Sequence, residues 1–203
     1  NGNKSVLDVS GVFSGTDIVL HGATAPDDLE LKGVSQNVDA TDYEGNLFVI
    51  MNSGTITMDA DNGNDTFIGS GNSEDYFFGE GLNGSDVIID DSGVDSDDVF
   101  ATLNGLGTVA IPVALHLHGI ENVSLETATA ASFIDASGIG NVGSTNIFVN
   151  DNATTNVALS LFNVQDNANV FTQNAFDASL TVEFADDHQG GWIDGGSGRQ
   201  VVL

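Results

Sequence analysis

Apolar and polar residues alternate in short runs along most of the chain. The runs at 29–34, 38–42, 45–50 and 54–59 are separated by residues that are rich in Gly, Ser, Asp and Asn. Two-residue alternation predicts half-buried β-strands, and the intervening residues favour turns. The 3.6-residue period of a long helix does not appear, so the sequence predicts an all-β protein. Similar runs predict further short strands at 6–9, 17–20, 146–149, 157–161, 169–171 and 180–184.

The stretch 59–90 repeats one unit made of a turn and a short strand. Its aspartates Asp65, Asp75 and Asp86 recur every ten or eleven residues, and each lies just before a pair of apolar residues. The glycine-rich turns between them tolerate positive φ. Stacking such units brings carbonyl and carboxylate oxygens together, which suits Ca²⁺ with its roughly six to eight oxygen ligands. The alternative is that these residues only mark hairpin turns of an ordinary β-domain.

The charge of the chain narrows the classes of function. Thirty acidic residues face three basic ones, Lys4, Lys32 and Arg199, for a formal net charge of −27. Binding to a nucleic-acid backbone requires Lys and Arg and is therefore not expected. Self-repulsion of this size opposes a compact state. Bound divalent cations would relieve it, and the alternative is a halophilic surface whose acidic side chains stay solvated.

Other features of composition concern location and completeness. The chain has no cysteine, so no disulfide holds it, and 40% of its residues are apolar, which argues against a disordered acidic tail. Neither a run of about 18 apolar residues nor a signal peptide appears, so no membrane insertion is predicted. The first residue is not Met and the last residues lie inside a repeat. We therefore expect a fragment or processed form of a longer chain.

Several motifs resemble a known family. Residues 61–67 resemble the second half of the RTX calcium β-roll repeat G-G-x-G-x-D-x-U-x, and residues 79–88 resemble it with one inserted residue. Residues 195–202 match its glycines, but Gln200 replaces the aspartate. The segment D-x-x-x-A-T-L-N-G at 97–105 is followed by G-I-E-N-V-S-L at 119–125 and by a short strand at 133–138. This order resembles bacterial S-layer proteins and large RTX-type surface adhesins, and the resemblance extends from about Val38 to Leu203. The resemblance implies a right-handed parallel β-solenoid (a β-helix or β-roll), irregular or partial calcium sites, type I secretion and self-assembly.

These patterns give a division of the chain and a set of metal-site residues. We expect solenoid rungs with RTX-like calcium repeats at 1–90, an acidic loop and strand insertion at 91–125, and continuing rungs at 126–203. The acidic loop is included because its crowded carboxylates repel one another unless a cation binds them. The predicted calcium-site residues, with their glycine corners, are Asp59, Asp61, Gly63, Asp65, Gly69, Gly71, Asp75, Gly79, Gly81, Asp86, Asp90, Asp95, Asp97 and Asp98.

Other chemistry finds less support. His116 and His118 would share one face of a strand, where two histidines either bind a transition metal or stay solvated. Residues 186–194, with three aspartates and a histidine beside a glycine-rich turn, are a second candidate cation site that matches the repeat pattern only weakly. Trp192 has three possible roles: it stacks against a bound sugar, it packs in a protein–protein interface, or it covers the end of the apolar core. No G-x-S-x-G elbow is present, and carboxylate pairs are too common in this chain to indicate a glycosidase, so no enzyme activity is expected.

The sequence thus favours a secreted, extracellular or cell-surface structural protein that folds on binding Ca²⁺. Its expected partner is itself, in an S-layer, a matrix or a filament, with cell-surface polysaccharide or lipopolysaccharide as a further partner. An adhesin module that binds glycans or a host surface is the alternative. A polysaccharide-processing β-helix enzyme is the third interpretation.

Overall fold

The protein is an all-β, parallel solenoid, as the sequence predicts. Its strands pair in parallel in every described sheet, and one isolated antiparallel bridge joins Thr108 to Ile111. The computed structural model describes residues 4–11, 15–22, 28–58, 63–90, 95–140, 143–151, 157–173, 179–185, 193–194 and 201–202. Within these ranges, no helix is both long and apolar enough to cross a membrane.

Three sheets run along the stack, and in each of them the strands follow one another in spatial order. Sheet A consists of β1 (Lys4–Asp8), β3 (Asp28–Val34), β5 (Leu47–Met51), β7 (Thr66–Ile68), β9 (Val87–Ile89), β12 (His116–His118) and β15 (Ile139–Gly140). Sheet B consists of β2 (Ile18–His21), β4 (Val38–Asp42), β6 (Gly54–Met58), β8 (Glu74–Phe78), β10 (Asp98–Leu103), β13 (Asn122–Thr127), β16 (Thr145–Asp151), β18 (Ala168–Thr172) and β20 (Ile193–Asp194). Sheet C consists of β11 (Val113–Ala114), β14 (Ser132–Asp135), β17 (Leu159–Val164), β19 (Leu180–Phe184) and β21 (Val201–Val202). A 3-10 turn, Ala136–Gly138, links β14 to β15.

The length of a coil follows from the pairing register. Leu29 lies beside Leu47, 18 residues further on, whereas Val123 lies beside Ile147, 24 residues further on. From β1 to β10 the chain alternates between sheet A and sheet B, so each coil holds two strands. The recurrence of Asp65, Asp75 and Asp86 every ten or eleven residues is consequently half a coil. Asp65 and Asp86 lie on the sheet A side of successive coils, and Asp75 lies on sheet B.

A third sheet begins within the segment 104–114. After β10 the chain reverses at Thr108 and Ile111, whose backbones exchange hydrogen bonds of 2.9 and 3.0 Å. β11 then opens sheet C, and beyond β15 the strands alternate between sheets B and C. Strands β10, β12 and β13 pair with the coils on both sides. The solenoid is therefore continuous through residues 98–127.

The core is built from the inward half of each alternating run. On sheet A one buried column holds Val49, Phe67, Ile88 and Leu117, which pair in successive coils. On sheet B the matching column includes Tyr76 and continues through β10, β13, β16 and β18. Full burial of such apolar side chains stabilises the fold by roughly 1.5–3 kcal/mol each. The period of two therefore fixes which residues at each corner point inward.

Candidate metal centre

Four carboxylates meet at one corner between sheet A and sheet B. Glu74 is the first residue of β8, Asp90 follows β9, and Asp95 and Asp97 precede β10. Each offers an oxygen that lies within 4.8 Å of the oxygens from the other three. Glu74, Asp90 and Asp97 are buried, and Asp95 is half-buried. We call these four residues the acidic corner; in the part of the chain that the structure describes, no other group of this kind occurs.

The register of sheet B places Asp97 directly beside Glu74. Asp98 pairs with Asp75, so the preceding residues of the two strands are also neighbours across one coil. The Glu74 backbone N–H donates to Asp97 Oδ1 at 2.8 Å, and the Asp97 N–H donates to Glu121 Oε2 at 2.9 Å. The Glu74 carboxylate accepts hydrogen bonds from the Ser70 hydroxyl and backbone N–H, at 2.6 and 3.0 Å. Hydrogen bonds along the stack therefore orient Glu74 and Asp97.

Asp90 enters the corner between two glycines from neighbouring coils. A Cβ added to Gly69 would lie 1.9 Å from Asp90 Oδ2, and one added to Gly119 would lie 1.4 Å from the Asp90 carbonyl oxygen. Gly119 also has φ of +81°, which L residues with a side chain rarely adopt. Glycine at these two positions makes room for Asp90 within the stack. Gly69, which the sequence predicts as part of a calcium site, has no side chain and so leaves room for the Asp90 carboxylate.

The surroundings of the acidic corner disfavour negative charge. Burial raises the pKa of Asp97 to about 8. A hydrogen bond from the Glu74 N–H lowers this pKa, whereas the charges of Asp90, Asp95 and Glu74 raise it further. Burial also raises the pKa of Glu74, although hydrogen bonds from Ser70 oppose the change. The pKa of the Tyr76 hydroxyl is raised by burial and then by the four carboxylates. Without a cation, the corner therefore favours the protonated form of Asp97 near neutral pH.

The protein offers this corner little positive charge. The chain has only three basic residues. Both Lys4 and Lys32 contact Glu30 instead, with Nζ to carboxylate distances of 2.7 and 2.9 Å. Arg199 lies outside the described residues. The described basic side chains are thus engaged at another carboxylate.

Two buried oxygens at the corner lack a hydrogen-bond partner among the described residues. They are Asp97 Oδ2 and the Tyr76 hydroxyl, on side chains that are both 0% exposed. Leaving a buried polar atom without a partner costs roughly 1–3 kcal/mol, and more for a charged group. The space that a Cβ on Gly69 would fill lies 3.0 Å from the Tyr76 hydroxyl and 1.9 Å from Asp90 Oδ2. The unpartnered oxygens therefore belong to the same corner as the carboxylates.

The donor set indicates which metal ions fit. Every ligand atom is a hard oxygen, and neither histidine nor cysteine takes part. Such sites suit Ca²⁺, Mg²⁺ or Mn²⁺, whereas Zn²⁺ and Cu²⁺ favour nitrogen and sulfur. The acidic corner is thus a group that can hold a metal ion, and it contains Asp90, Asp95 and Asp97 of the predicted set.

Other predicted ligands lie apart from this corner. Asp65 Oδ1 accepts the Leu47 N–H at 2.7 Å, and Asp86 Oδ1 accepts the Asp65 N–H at 3.0 Å. Asp86 Oδ2 accepts the Asn83 N–H at 2.7 Å. These two buried carboxylates join neighbouring coils through backbone amides. Metal binding by Asp65 and Asp86 stays a prediction.

The remaining predicted residues occupy several places. Asp75 and Asp98 are adjacent on the outer side of sheet B. The carbonyls of Gly63, Gly79 and Gly81 accept hydrogen bonds, from Asn83 Nδ2 (3.0 Å), the Thr102 N–H (2.7 Å) and Asn83 Nδ2 (3.4 Å). A Cβ on Gly71 would meet nothing within 4 Å. Asp59 and Asp61 lie outside the described residues, as do Trp192 and residues 186–188.

His116 and His118 flank the buried Leu117 on β12, and so share the outer face of sheet A. Within the described ranges, no third metal-ligating side chain joins them. The sequence patterns did not point to Glu74 and Tyr76. The alternation of Glu74, Tyr76 and Phe78 carries the signal, since all three occupy inward positions of β8.

Comparison of the chain with protein-family models, with curated proteins and with solved structures finds no match. The site's chemistry therefore has to be argued from its own residues.

Proposed function

We propose that this chain is a calcium-dependent structural segment of a secreted bacterial surface protein, of the S-layer, matrix or filament type. The observation that carries the proposal is the acidic corner, with its four convergent carboxylates and the buried, unpartnered Asp97 Oδ2. A Ca²⁺ ion held there would neutralise charge in the interior and link three segments of the chain. Those segments are the start of β8, the end of β9 and the start of β10.

The mechanism is folding coupled to ion binding. At low free calcium the carboxylates repel one another or hold protons, and the compact state loses stability. Extracellular calcium modules bind with Kd on the order of 10⁻⁴–10⁻³ M, so loading occurs only where calcium is abundant. An ion that binds the folded state alone stabilises it by mass action. The chain would thereby stay unfolded during export and fold outside the cell.

The outer face of sheet A supports association between copies. Phe48, Ile50, Ile68, Val87 and Ile89 point outward and are half-buried, on strands whose inward residues are also apolar. Parallel strands that are apolar on both sides are typical of sheets covered on both faces. These three strands also carry no carboxylate. A second copy can therefore cover this face with little repulsion despite the charge of −27.

The test is a calcium titration followed by circular dichroism and thermal melting. We expect millimolar CaCl₂ to raise the melting temperature and EGTA to lower it, with MgCl₂ at the same concentration giving a smaller effect. Glu74→Gln should lose most of this response. The matched control is Asp75→Asn, the neighbouring position on the outer side of β8. Equal responses of both variants, or a melting temperature that EGTA leaves unchanged, would refute the proposal.

A further inference from the structure

The outer face of sheet B carries a row of stacked phenylalanine rings that is interrupted at one strand. Phe77, Phe100, Ser124, Phe148 and Phe171 occupy the same register position in five successive strands. The rings of Phe77 and Phe100 are stacked, with centroids 4.6 Å apart and planes within 6°. Those of Phe148 and Phe171 are also stacked, at 5.3 Å and 22°. Ser124 separates the two pairs.

The gap above Ser124 has the width of one six-membered ring. Neighbouring strands lie about 4.8 Å apart, so the rows of Phe100 and Phe148 are about 9.6 Å apart. A ring held midway would lie about 4.8 Å from each neighbour. That spacing falls between the 4.6 and 5.3 Å of the two stacked pairs. A guest ring in the gap would therefore make the row of rings continuous.

A polar row runs beside the gap. Thr102, Glu126 and Asn150 pair with one another in register, two residues further along the same strands. Together with Phe100 and Ser124 they line part of a surface depression of about 350 Å³. Binding sites for small molecules combine apolar walls with a few polar groups that fix orientation. The depression thus offers aromatic faces on one side and hydrogen-bonding groups on the other.

We propose that this site binds an uncharged pyranose ring of a glycan. Such a ring presents C–H groups on its flat faces to Phe100 and Phe148, and its hydroxyl groups lie at its edge. There they meet Ser124 and the polar row, where Glu126 accepts a hydrogen bond from a hydroxyl donor. The charge of the chain repels an anionic sugar. The proposal is independent of the calcium proposal, because the two sites share no residue.

A quaternary ammonium group is the competing ligand, since aromatic faces also attract cations. We favour the sugar because serine, threonine and asparagine beside the gap suit a ligand with many hydroxyl groups. The experiment therefore also includes a quaternary ammonium ion as a probe.

The experiment titrates the calcium-saturated, full 203-residue chain, labelled with ¹⁵N, and follows backbone amide shifts by NMR. The probes are methyl β-D-glucopyranoside, methyl β-D-galactopyranoside, cellobiose, methyl β-D-glucuronide and tetramethylammonium chloride. We expect at least one neutral sugar to shift the amides of Phe100, Ser124, Glu126 and Phe148. The glucuronide should bind at least tenfold more weakly. The proposal is overturned if no neutral sugar shifts these amides, or if tetramethylammonium binds them more tightly.

Two variants at one position separate filling the gap from disturbing the fold. Ser124→Phe supplies the missing ring, so it should abolish sugar binding without lowering the melting temperature. Ser124→Ala keeps the gap open and should bind within about threefold of the natural chain. Should Ser124→Phe not fold, Phe148→Leu serves instead, and a loss of binding is expected. Sugar affinity in the filled or leucine variant equal to that of the natural chain would end the proposal.

Discussion

The raised pKa of Asp97 predicts that calcium stabilises the protein more strongly as pH rises. The pKa of an ordinary Asp is 3.8, whereas burial and neighbouring carboxylates raise that of Asp97 to about 8 in the metal-free fold. Between these values the folded state binds the proton and the unfolded state does not. The contribution of Asp97 to stability is therefore complete below about pH 4, falls as pH rises, and reaches its minimum above about pH 8.

The size of the effect follows from the gap between these two pKa values. Each pKa unit corresponds to about 1.4 kcal/mol. A gap of about four pKa units sets an upper limit of about 5–6 kcal/mol, and structural relaxation and water entry reduce it, so we expect a loss of roughly 2–4 kcal/mol. Calcium competes with the proton and favours the ionised form. The stabilisation that CaCl₂ adds relative to EGTA should accordingly increase from about pH 5 to about pH 7.5, as Asp97 loses its proton.

Asp97→Asn provides the decisive perturbation. Asparagine keeps an oxygen for the Glu74 N–H but carries no charge. Urea unfolding at pH 8 should find the variant more stable than the natural chain in EGTA and less stable in 5 mM CaCl₂, on the order of 2 kcal/mol each way. Asp75→Asn is the control and should show no such crossover. A variant that is less stable than the natural chain under both conditions would refute the reasoning.

Three further predictions concern the acidic corner and the hydrogen bonds that join neighbouring coils. Gly69→Ala places a methyl group against Asp90 and should weaken calcium binding at least tenfold by calorimetry, whereas Gly71→Ala, which meets nothing within 4 Å, should not. Asp86→Ala leaves two backbone N–H groups without their acceptor and should lower the unfolding free energy by about 2–4 kcal/mol in urea. Asn146→Ala interrupts a ladder of side-chain amides. In this ladder Asn146 Nδ2 donates to Asn122 Oδ1 at 3.0 Å, and Asn169 Nδ2 donates to Asn146 Oδ1 at 3.2 Å. Thermal melting should register a loss of about 1–2 kcal/mol; an unchanged melting temperature would count against a stabilising ladder.

The strands were predictable because the period of two is explicit in the sequence. The runs at 29–34, 38–42 and 180–184 correspond to β3, β4 and β19. What the pattern could not supply is which strands are neighbours. A recurrence of ten or eleven residues is compatible with a full coil or with half of one, and only the pairing register distinguishes them. The structure shows half a coil, so Asp75 lies on a different sheet from Asp65 and Asp86.

The acidic corner was predictable in part for the same reason. Asp90, Asp95 and Asp97 were found because they are crowded in sequence, which is a local property. Glu74 reaches them from the previous coil, and that proximity depends on the pairing of β8 with β10. Its inward direction was nevertheless available from its alternation with Tyr76 and Phe78. A search for inward-facing acids at strand starts, rather than for Asp in glycine turns, finds it.

The carboxylates that point inward follow one rule, and the acidic corner is where that rule is insufficient. In two columns, each acid accepts the backbone N–H of the residue one coil earlier: Leu47 to Asp65 to Asp86, and Glu74 to Asp97 to Glu121. Hydrogen bonds from backbone amides partly compensate the charge of the carboxylates in each column. At the corner, however, Asp90 and Asp95, which lie between β9 and β10 in the sequence, join Glu74 and Asp97, so four carboxylates share one small volume. The backbone amides of a column cannot neutralise that charge, and both described lysines form ion pairs with Glu30 instead. A divalent cation would supply the missing positive charge, so the candidate site arises where Asp90 and Asp95 lie beside an otherwise regular stack.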